Sequence, residues 1–324
     1  MKGFIGSGNI DTNSRLCMAS AVVAHKLAFG ADLVPGCYED LDLADLIVFS
    51  GHNAAWTHPV LFRRMEQARA RGQRYVVIDP RRSETAVKAD AHHFIRPGTD
   101  VFLLLAMTQV LFAENLLKPG RLTEFTDGIT ELGAAVVEFT PEHVSTITGI
   151  APAEIRTLAR DLAAAEKGVI YGRVGVSVQE FGGLCLWLIN ALNLLTGHLD
   201  EPGGYMFATP ALDILGKPGI YNKYDRYRSR VRQAPEFMGE LPVACLAEEM
   251  LTPGEGQLRA LVTSCGNPVL STPNGAQLDT ALAGLDLTAC DLEAITLKLD
   301  DLRGAIVSAP QAMQLARFLE VIIK

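Results

Sequence analysis

The sequence predicts an α/β protein, a doubly wound parallel sheet with a second, smaller α/β unit. Short apolar runs that end in Gly or Asp-Pro recur along the chain, as buried parallel strands do. The segments between them have helical periodicity, with Pro near the start and Gly near the end. At 324 residues the chain is long for a single core, so two domains are expected, 1–205 and 206–324.

Taken in order, "RLCMASAVVAHKLAFG" (15–30) reads as an amphipathic helix capped by the preceding "GNIDTNS", which puts Cys17 in its first turn. "ADLIVFSG" (44–51) is the first strand, "PVLFRRMEQARARG" (59–72) a helix, and "RYVVIDP" (74–80) the second strand. A shorter strand is read in "HHFIRPG" (92–98), then a strongly apolar helix over 99–117 with Thr99 or Asp100 as its cap. A helix starting at Pro152, a strand over 169–177 and a long apolar helix ending at Gly197 complete the first unit. Strands and helices alternating at this spacing form βαβ units. From about 206 to 240 the texture turns to Pro, Gly, Tyr and Arg and reads as a surface excursion. The second unit follows with a helix in "PVACLAEEMLTPG", a strand running into a loop in "QLRALVTSCGNP", and a helix in "NGAQLDTALAGLD".

The net charge of −8 offers no basic surplus for neutralising phosphates, so no nucleic-acid partner is expected. The basic runs "FRRMEQARARGQR" and "YDRYRSRVR" read as solvated faces. No apolar stretch is long enough to span a membrane, and the start lacks the apolar core of a signal peptide, so a cytoplasmic protein is expected. Six scattered cysteines with no CxxC suit reduced thiols.

Ligands of a doubly wound sheet bind beyond the carboxyl ends of its strands. Those ends here carry Ser50, Gly51, His52 and Asn53; Asp79, Arg81 and Ser83; Gly98, Thr99 and Asp100; Gly175 and Gln179; and Asn267. They are small or polar groups that approach and hydrogen-bond a nucleotide, yet none forms a GxGxxG or P-loop. Each also has a plainer role: a strand-end turn for Asp79, a helix cap for Asp100, a solvated side chain for Arg81 or Arg82, a turn former for Asn53 or Asn267. His58, His92 and His93 lack partners at ligand spacing and read as structural. Cys17 is open to two readings. A helix N-terminus favours a thiolate, whereas a free cysteine is usually a buried small hydrophobe.

The strings "GNIDTNSRLCMASAV", "PGCYEDLDLADLIVFSGHNAAWTHPVLFRRM", "VVIDPRRSETAVKADAHHFIRPGTD", "YGRVGVSVQEFGGLCLWLINALNLLTGHLDEPGG" and "ALVTSCGNPVLSTPNGAQLDTALAGLD" together resemble the molybdopterin oxidoreductase superfamily. Within it they look most like the catalytic subunits of assimilatory and periplasmic nitrate reductases. The resemblance implies a Rossmann-like domain that binds Mo-bis(molybdopterin guanine dinucleotide), with Cys17 as the metal's thiolate ligand and Asn13 against the pterin. It also implies that the strand-end residues from Ser50 to Asp100 cradle a guanine dinucleotide, with Gly175, Gln179 and Asn267 lining the cofactor. Two-electron oxygen-atom transfer follows from it, with nitrate as the small-molecule substrate and an electron-donor protein or domain as partner. Met18 beside Cys17 points to nitrate, since formate dehydrogenases of this group usually carry His there. The stretch 96–285 reads closer to the formate dehydrogenase-like branch, which keeps formate as the alternative. A non-catalytic nucleotide- or cofactor-binding module is the alternative of another class. The family's 4Fe–4S cluster finds no ligands in this sequence, and residues 288–324 do not align with the family pattern.

Overall fold

The computed structural model describes residues 6–211, 224–263, 266–283 and 306–316. Contacts group Asn13–Asn222 into one compact unit, and Met1–Thr12 with Lys223–Lys324 into another. The first twelve residues and residues 206–211 thus group differently from the expected 1–205 and 206–324. Local hydrogen bonds account for both. Gly8 O accepts from Leu241 N–H at 2.9 Å and Asp11 Oδ2 from Val243 N–H at 2.7 Å, while Met206 O accepts from Gly36 N–H at 2.7 Å.

The larger unit is a parallel four-stranded sheet in the order β3-β2-β1-β4, with β1 Leu46–Ser50, β2 Arg74–Ile78, β3 Ala91–His93 and β4 Gly168–Gly172. Every neighbouring pair is parallel. All five residues of β1 are buried, as expected for a strand covered on both faces. Leu46, Val48, Val76, Ile78 and Ile170 pack into one apolar cluster. Ile47, Phe49, Tyr75, Val77 and Val169 pack into another. The two-residue period therefore survives inside uniformly apolar runs, one parity for each face.

The first face carries α1 (Asn13–Phe29), later helices α4 (Asp100–Ala113), α5 (Pro141–Thr148) and α6 (Pro152–Ala164), and α7 (Gly182–Leu195). Helix α2 (Pro59–Ala68) packs Phe62 and Met65 on the second face, and α3 (Glu84–Lys88) follows β2. Helix α4 is apolar nearly all round and buries nine of its residues, so it sits in the interior of its layer.

Strand β4 is an edge of this four-stranded sheet, and a side chain closes it. Asn193 of α7, fully buried, accepts from Ile170 N–H at 3.0 Å and donates to Ile170 O at 2.8 Å. One carboxamide satisfies the two backbone groups a fifth strand would have paired.

In the smaller unit the expected surface excursion contains an antiparallel hairpin, β5 (Tyr224–Arg228) with β6 (Pro235–Phe237). Strand β5 is exposed throughout, in line with the expected solvated face, and the arginines of the hairpin are also ion-paired: Arg226 with Glu236, Arg228 with Asp225, Arg230 with Glu249 and Arg232 with Glu248. Two of those carboxylates, on Glu236 and Glu249, are buried, and a buried charge needs such a partner. The helix expected in 242–254 is a 3₁₀ turn followed by Leu246–Leu251. The strand expected from Gln257 is not formed among its described residues, 257–263, and Ser264 and Cys265 lie outside the described residues.

Asn193→Leu leaves the Ile170 N–H and C=O without partners, at about 1–3 kcal/mol each. Chemical denaturation should show a loss of roughly 2–5 kcal/mol, whereas an exposed α7 change such as Leu184→Gln should be close to neutral.

Candidate functional site

After β1 the chain turns toward β2, and later it returns as β4 on the other side of β1. Doubly wound sheets bind ligands in the crevice at such a reversal, here beyond the carboxyl ends of β1 and β4. Backbone hydrogen bonds join the two strand ends: Arg173 N–H donates to Ser50 O at 3.3 Å and Gly175 N–H to Gly51 O at 3.0 Å. Glycine is required at both contacts. Gly51 has φ +60°, and a Cβ on it would lie 2.7 Å from Val176 N, while one on Gly175 would lie 2.6 Å from Gly51 O.

Around this junction most of the strand-end residues meet. Gln179 Nε2 donates to Asp100 Oδ2 at 2.8 Å and to Gly175 O at 2.7 Å. Asp100 opens α4 in a buried position, and burial pushes its carboxyl above the usual carboxylate range. The nearby Asp79 charge adds to that rise, while Gln179, the residue's own N–H and the buried Ser50 hydroxyl oppose it. Thr99 precedes α4 but does not cap it, because its hydroxyl donates to Arg96 O at 2.7 Å. Gly98 has φ +82° with open space where a side chain would be. Across the crevice rim, Asn53 accepts from the Thr85 hydroxyl at 2.9 Å and donates to Glu84 at 2.8 Å. Ser83 caps α3 by accepting from Ala86 N–H at 3.3 Å. Asp79 accepts from Arg81 N–H at 2.8 Å, the turn role open to it from sequence, and the Arg81 and Arg82 side chains are exposed. Asn267 belongs to the other unit, where its side chain accepts from Leu270 N–H at 3.3 Å and caps a short helix.

Helix α1 begins at Asn13, so Cys17 is its fifth residue and opens the second turn, a correction to the first-turn expectation. The helix-terminus field fades within one turn, so any thiolate role rests on other grounds. Ser20 fixes the helix by donating to Ser177 O at 2.7 Å, in the helical turn that follows β4. Cys17 lies one turn before the buried Ala21, on the same face, and remains partly exposed. Met18 packs partly buried against the first apolar cluster.

A polar chain that sequence reasoning missed runs along the same crevice. Arg173 donates to Tyr171 Oη at 3.2 Å and lies 3.4 Å from His58 Nε2. His58 Nδ1 lies 2.7 Å from Thr57 Oγ1 and 3.1 Å from His52 Nε2. Arginine can only donate, so His58 Nε2 accepts and the His58 proton sits on Nδ1. His52 Nε2 accepts in turn, which leaves the buried His52 Nδ1–H without an acceptor. Burial, aided by Arg173, holds His58 below its ordinary value. Burial, then His58 and Arg173, push His52 down to about 3. No spacing rule reveals this chain, because His58 and Arg173 are 115 positions apart.

His92 and His93 behave as the structural reading expected. His92 Nε2 lies 2.9 Å from Asp79 O, and His93 faces Glu154 at 3.4 Å. Among the described residues no three His, Cys, Asp or Glu side chains converge as a metal-binding group. A metal at this site has to bring ligands of its own, and a single thiolate suits that need. The glycine junction, the open space at Gly98 and the orphaned His52 N–H fit a phosphate-bearing organic cofactor.

The buried Asp100 costs stability at neutral pH. Its folded pKa is raised, so its contribution is greatest when protonated and falls as pH rises through that value. Asp100→Asn should therefore raise the melting temperature near about pH 7, with a smaller gain near about pH 4, as read by calorimetry. His52 has the opposite sign. Its folded pKa is depressed to about 3, so stability is present above the ordinary value of 6.5 and is lost as pH falls below it. His52→Phe should flatten the acid limb of the stability profile by up to about 1.4 kcal/mol per pH unit.

A sequence model of the molybdopterin oxidoreductase family matches residues 1–290. A nitrate reductase of Klebsiella oxytoca is 33% identical over 299 residues, covering 87% of this chain and 34% of that protein. An F420-dependent formate dehydrogenase subunit alpha of Methanocaldococcus jannaschii is 29% identical over 290 residues, covering 86% of this chain and 43% of its own length. Acetylene hydratase from Pelobacter acetylenicus aligns in structure with a TM-score of 0.58 and 26% identity, over 64% of this chain and 28% of that one. The chain thus spans about a third of the length of nitrate reductases it matches. The family model and the identity to the nitrate reductase agree, and the chain belongs to the molybdopterin oxidoreductase family.

Proposed function

We propose that this chain is the cofactor-cradling part of a molybdenum-dependent oxidoreductase that reduces nitrate to nitrite, using Mo-bis(molybdopterin guanine dinucleotide). The observation that carries the reading is the set of small and polar side chains gathered at the β1/β4 reversal. Helix α1 is tied to the same junction through Ser20 and Ser177.

When bound, the molybdenum–pterin group supplies a two-electron redox centre for oxygen-atom transfer. Nitrate then gives up one oxygen as water, consuming two electrons and two protons. The electrons come from a donor protein or domain. Cys17 offers a thiolate to the metal, and Asn13, one turn earlier, reaches the pterin. Ser50, Gly51, His52 and Asn53, with Asp79, Arg81 and Ser83, hold the guanine nucleotide from the β1 and β2 ends. Gly98, Thr99 and Asp100 border it from the far side, and Gly175 and Gln179 close the crevice from β4. Asn267 joins this set only by resemblance. Met18 next to the thiolate favours nitrate, and the formate dehydrogenase relatives favour formate as the second reading. A cytoplasmic setting is part of the proposal.

Protein purified natively under reducing conditions should contain molybdenum and release GMP on acid hydrolysis. Cys17→Ser should lose molybdenum while its circular dichroism and melting temperature stay within the range of a surface change. Reduced viologen dye should be oxidised by the loaded protein on addition of nitrate. Oxidised dye reduced on addition of formate, with no response to nitrate, selects the second reading. Absence of both molybdenum and GMP overturns the proposal, as does a Cys17→Ser protein that retains the metal in full.

A further inference from the structure

Arg173 is a cation without a carboxylate partner among the described residues, although it is only partly exposed. That sets it apart from five other arginines of this unit. Arg64, Arg69, Arg121, Arg156 and Arg160 each face an Asp or Glu. It also differs from Arg81 and Arg82, whose side chains are exposed and have no fixed partner described. Its two contacts are neutral acceptors, the Tyr171 hydroxyl and the His58 ring. These fix the guanidinium plane without cancelling its charge. Three of its five N–H donors stay free for a ligand.

The location completes the argument. Arg173 follows β4 directly, and its backbone N–H holds Ser50 O at the junction of the two strand ends. His52, joined to Arg173 through His58, contributes the buried N–H that has no acceptor. A half-buried, pre-oriented guanidinium suits a group with several anionic oxygens, and the fork of arginine matches phosphate geometry. Pre-orientation also lowers the ordering cost of binding.

We propose that Arg173, held in place by Tyr171 and His58, receives the diphosphate of the bound dinucleotide. The assignment rests on the dinucleotide reading given above. It places the diphosphate at the reversal point of the sheet. The His52–His58 pair is then a positioning device, since it acts by orienting Arg173.

Calorimetric titration of the full chain, freed of cofactor, with inorganic pyrophosphate, GDP and guanosine tests this. Pyrophosphate and GDP should bind the parent protein. Arg173→Gln should weaken both by about tenfold or more, the loss of one charge-assisted pair, and leave guanosine unchanged. Arg82→Gln should shift them by less than about threefold, as expected of a solvated side chain. Arg173→Lys, which keeps the charge and loses the fork, should fall between parent and Gln variant and serves if the Gln variant fails to fold. Arg173→Gln, or the Lys variant in its place, binding pyrophosphate as tightly as the parent overturns the proposal, as does a parent that binds no pyrophosphate. Pyrophosphate binding that depends on Arg173, with no added affinity from guanine, upholds this subsite and sinks the dinucleotide reading instead.

Discussion

The approach of Gly51 to Gly175 is the contact on which the site depends. Two strand ends come within backbone hydrogen-bonding distance, and neither position has room for a methyl group. Because the β4 end is held against the β1 end, every side chain that follows either strand projects from one rigid rim. Gln179 reaches Asp100 only because Gly175 O anchors its amide on the way. Arg173 reaches His58 because its own N–H is pinned to Ser50. A Cβ at either glycine would push the two ends apart and part these pairs together, without touching them directly.

The rim stores unfavourable electrostatics. A buried carboxylate at Asp100 is held above its usual pKa, two imidazoles are held below theirs, and a guanidinium sits among neutral partners. The Asp100 carboxylate opposes folding at neutral pH and the imidazoles oppose it only on the acid side, and the apolar clusters on the two faces of the sheet offset such costs. Elsewhere in the chain charges are compensated, as in the hairpin whose arginines each meet a carboxylate. Uncompensated polarity collected at a topological reversal is what a ligand site needs, because the ligand then completes the missing interactions.

Much of the fold was legible in the sequence, and the physical reasons are specific. The strands of the larger unit are buried on both faces, so they appear as continuous apolar runs, and their helices carry Pro starts and Gly stops. Gly72, with φ +93°, ends the helix after β1 where the sequence placed its stop. The unlegible parts depend on partners far away in the chain. Asn193 closes the edge of β4 from 23 residues away, and an Asn in an apolar helix, as Asn190 also is, carries no local signal of that role. The ion pairing of the exposed basic run around Arg226–Arg232 was hidden because Glu236, Glu248 and Glu249 lie in β6 and in the following helix. The helix begins at Asn13, inside the polar stretch read as its cap, which moved Cys17 into the second turn, an ordinary uncertainty of helix ends.

The candidate site divides along the same line. Residues just after an apolar run, from Ser50 to Asn53 and from Asp79 to Ser83, could be found because strand ends can be found. Arg173 also follows a strand, yet an arginine there is normally solvated, and only the fold reveals that Tyr171 and His58 hold it. His58 looked structural for want of a metal-ligand spacing. Its role depends instead on a neutral lone pair facing a cation, and that arrangement needs no sequence spacing at all. Asp100 illustrates the converse. Sequence offered two roles, cap and ligand contact, and the cap role is not taken: Thr99 holds the N-cap position, while Asp100 is the first helical residue and its carboxylate, held by Gln179, stays beside the junction. Position at a strand end is therefore readable from one chain segment, whereas the charge state of a side chain there is set by what the fold brings against it.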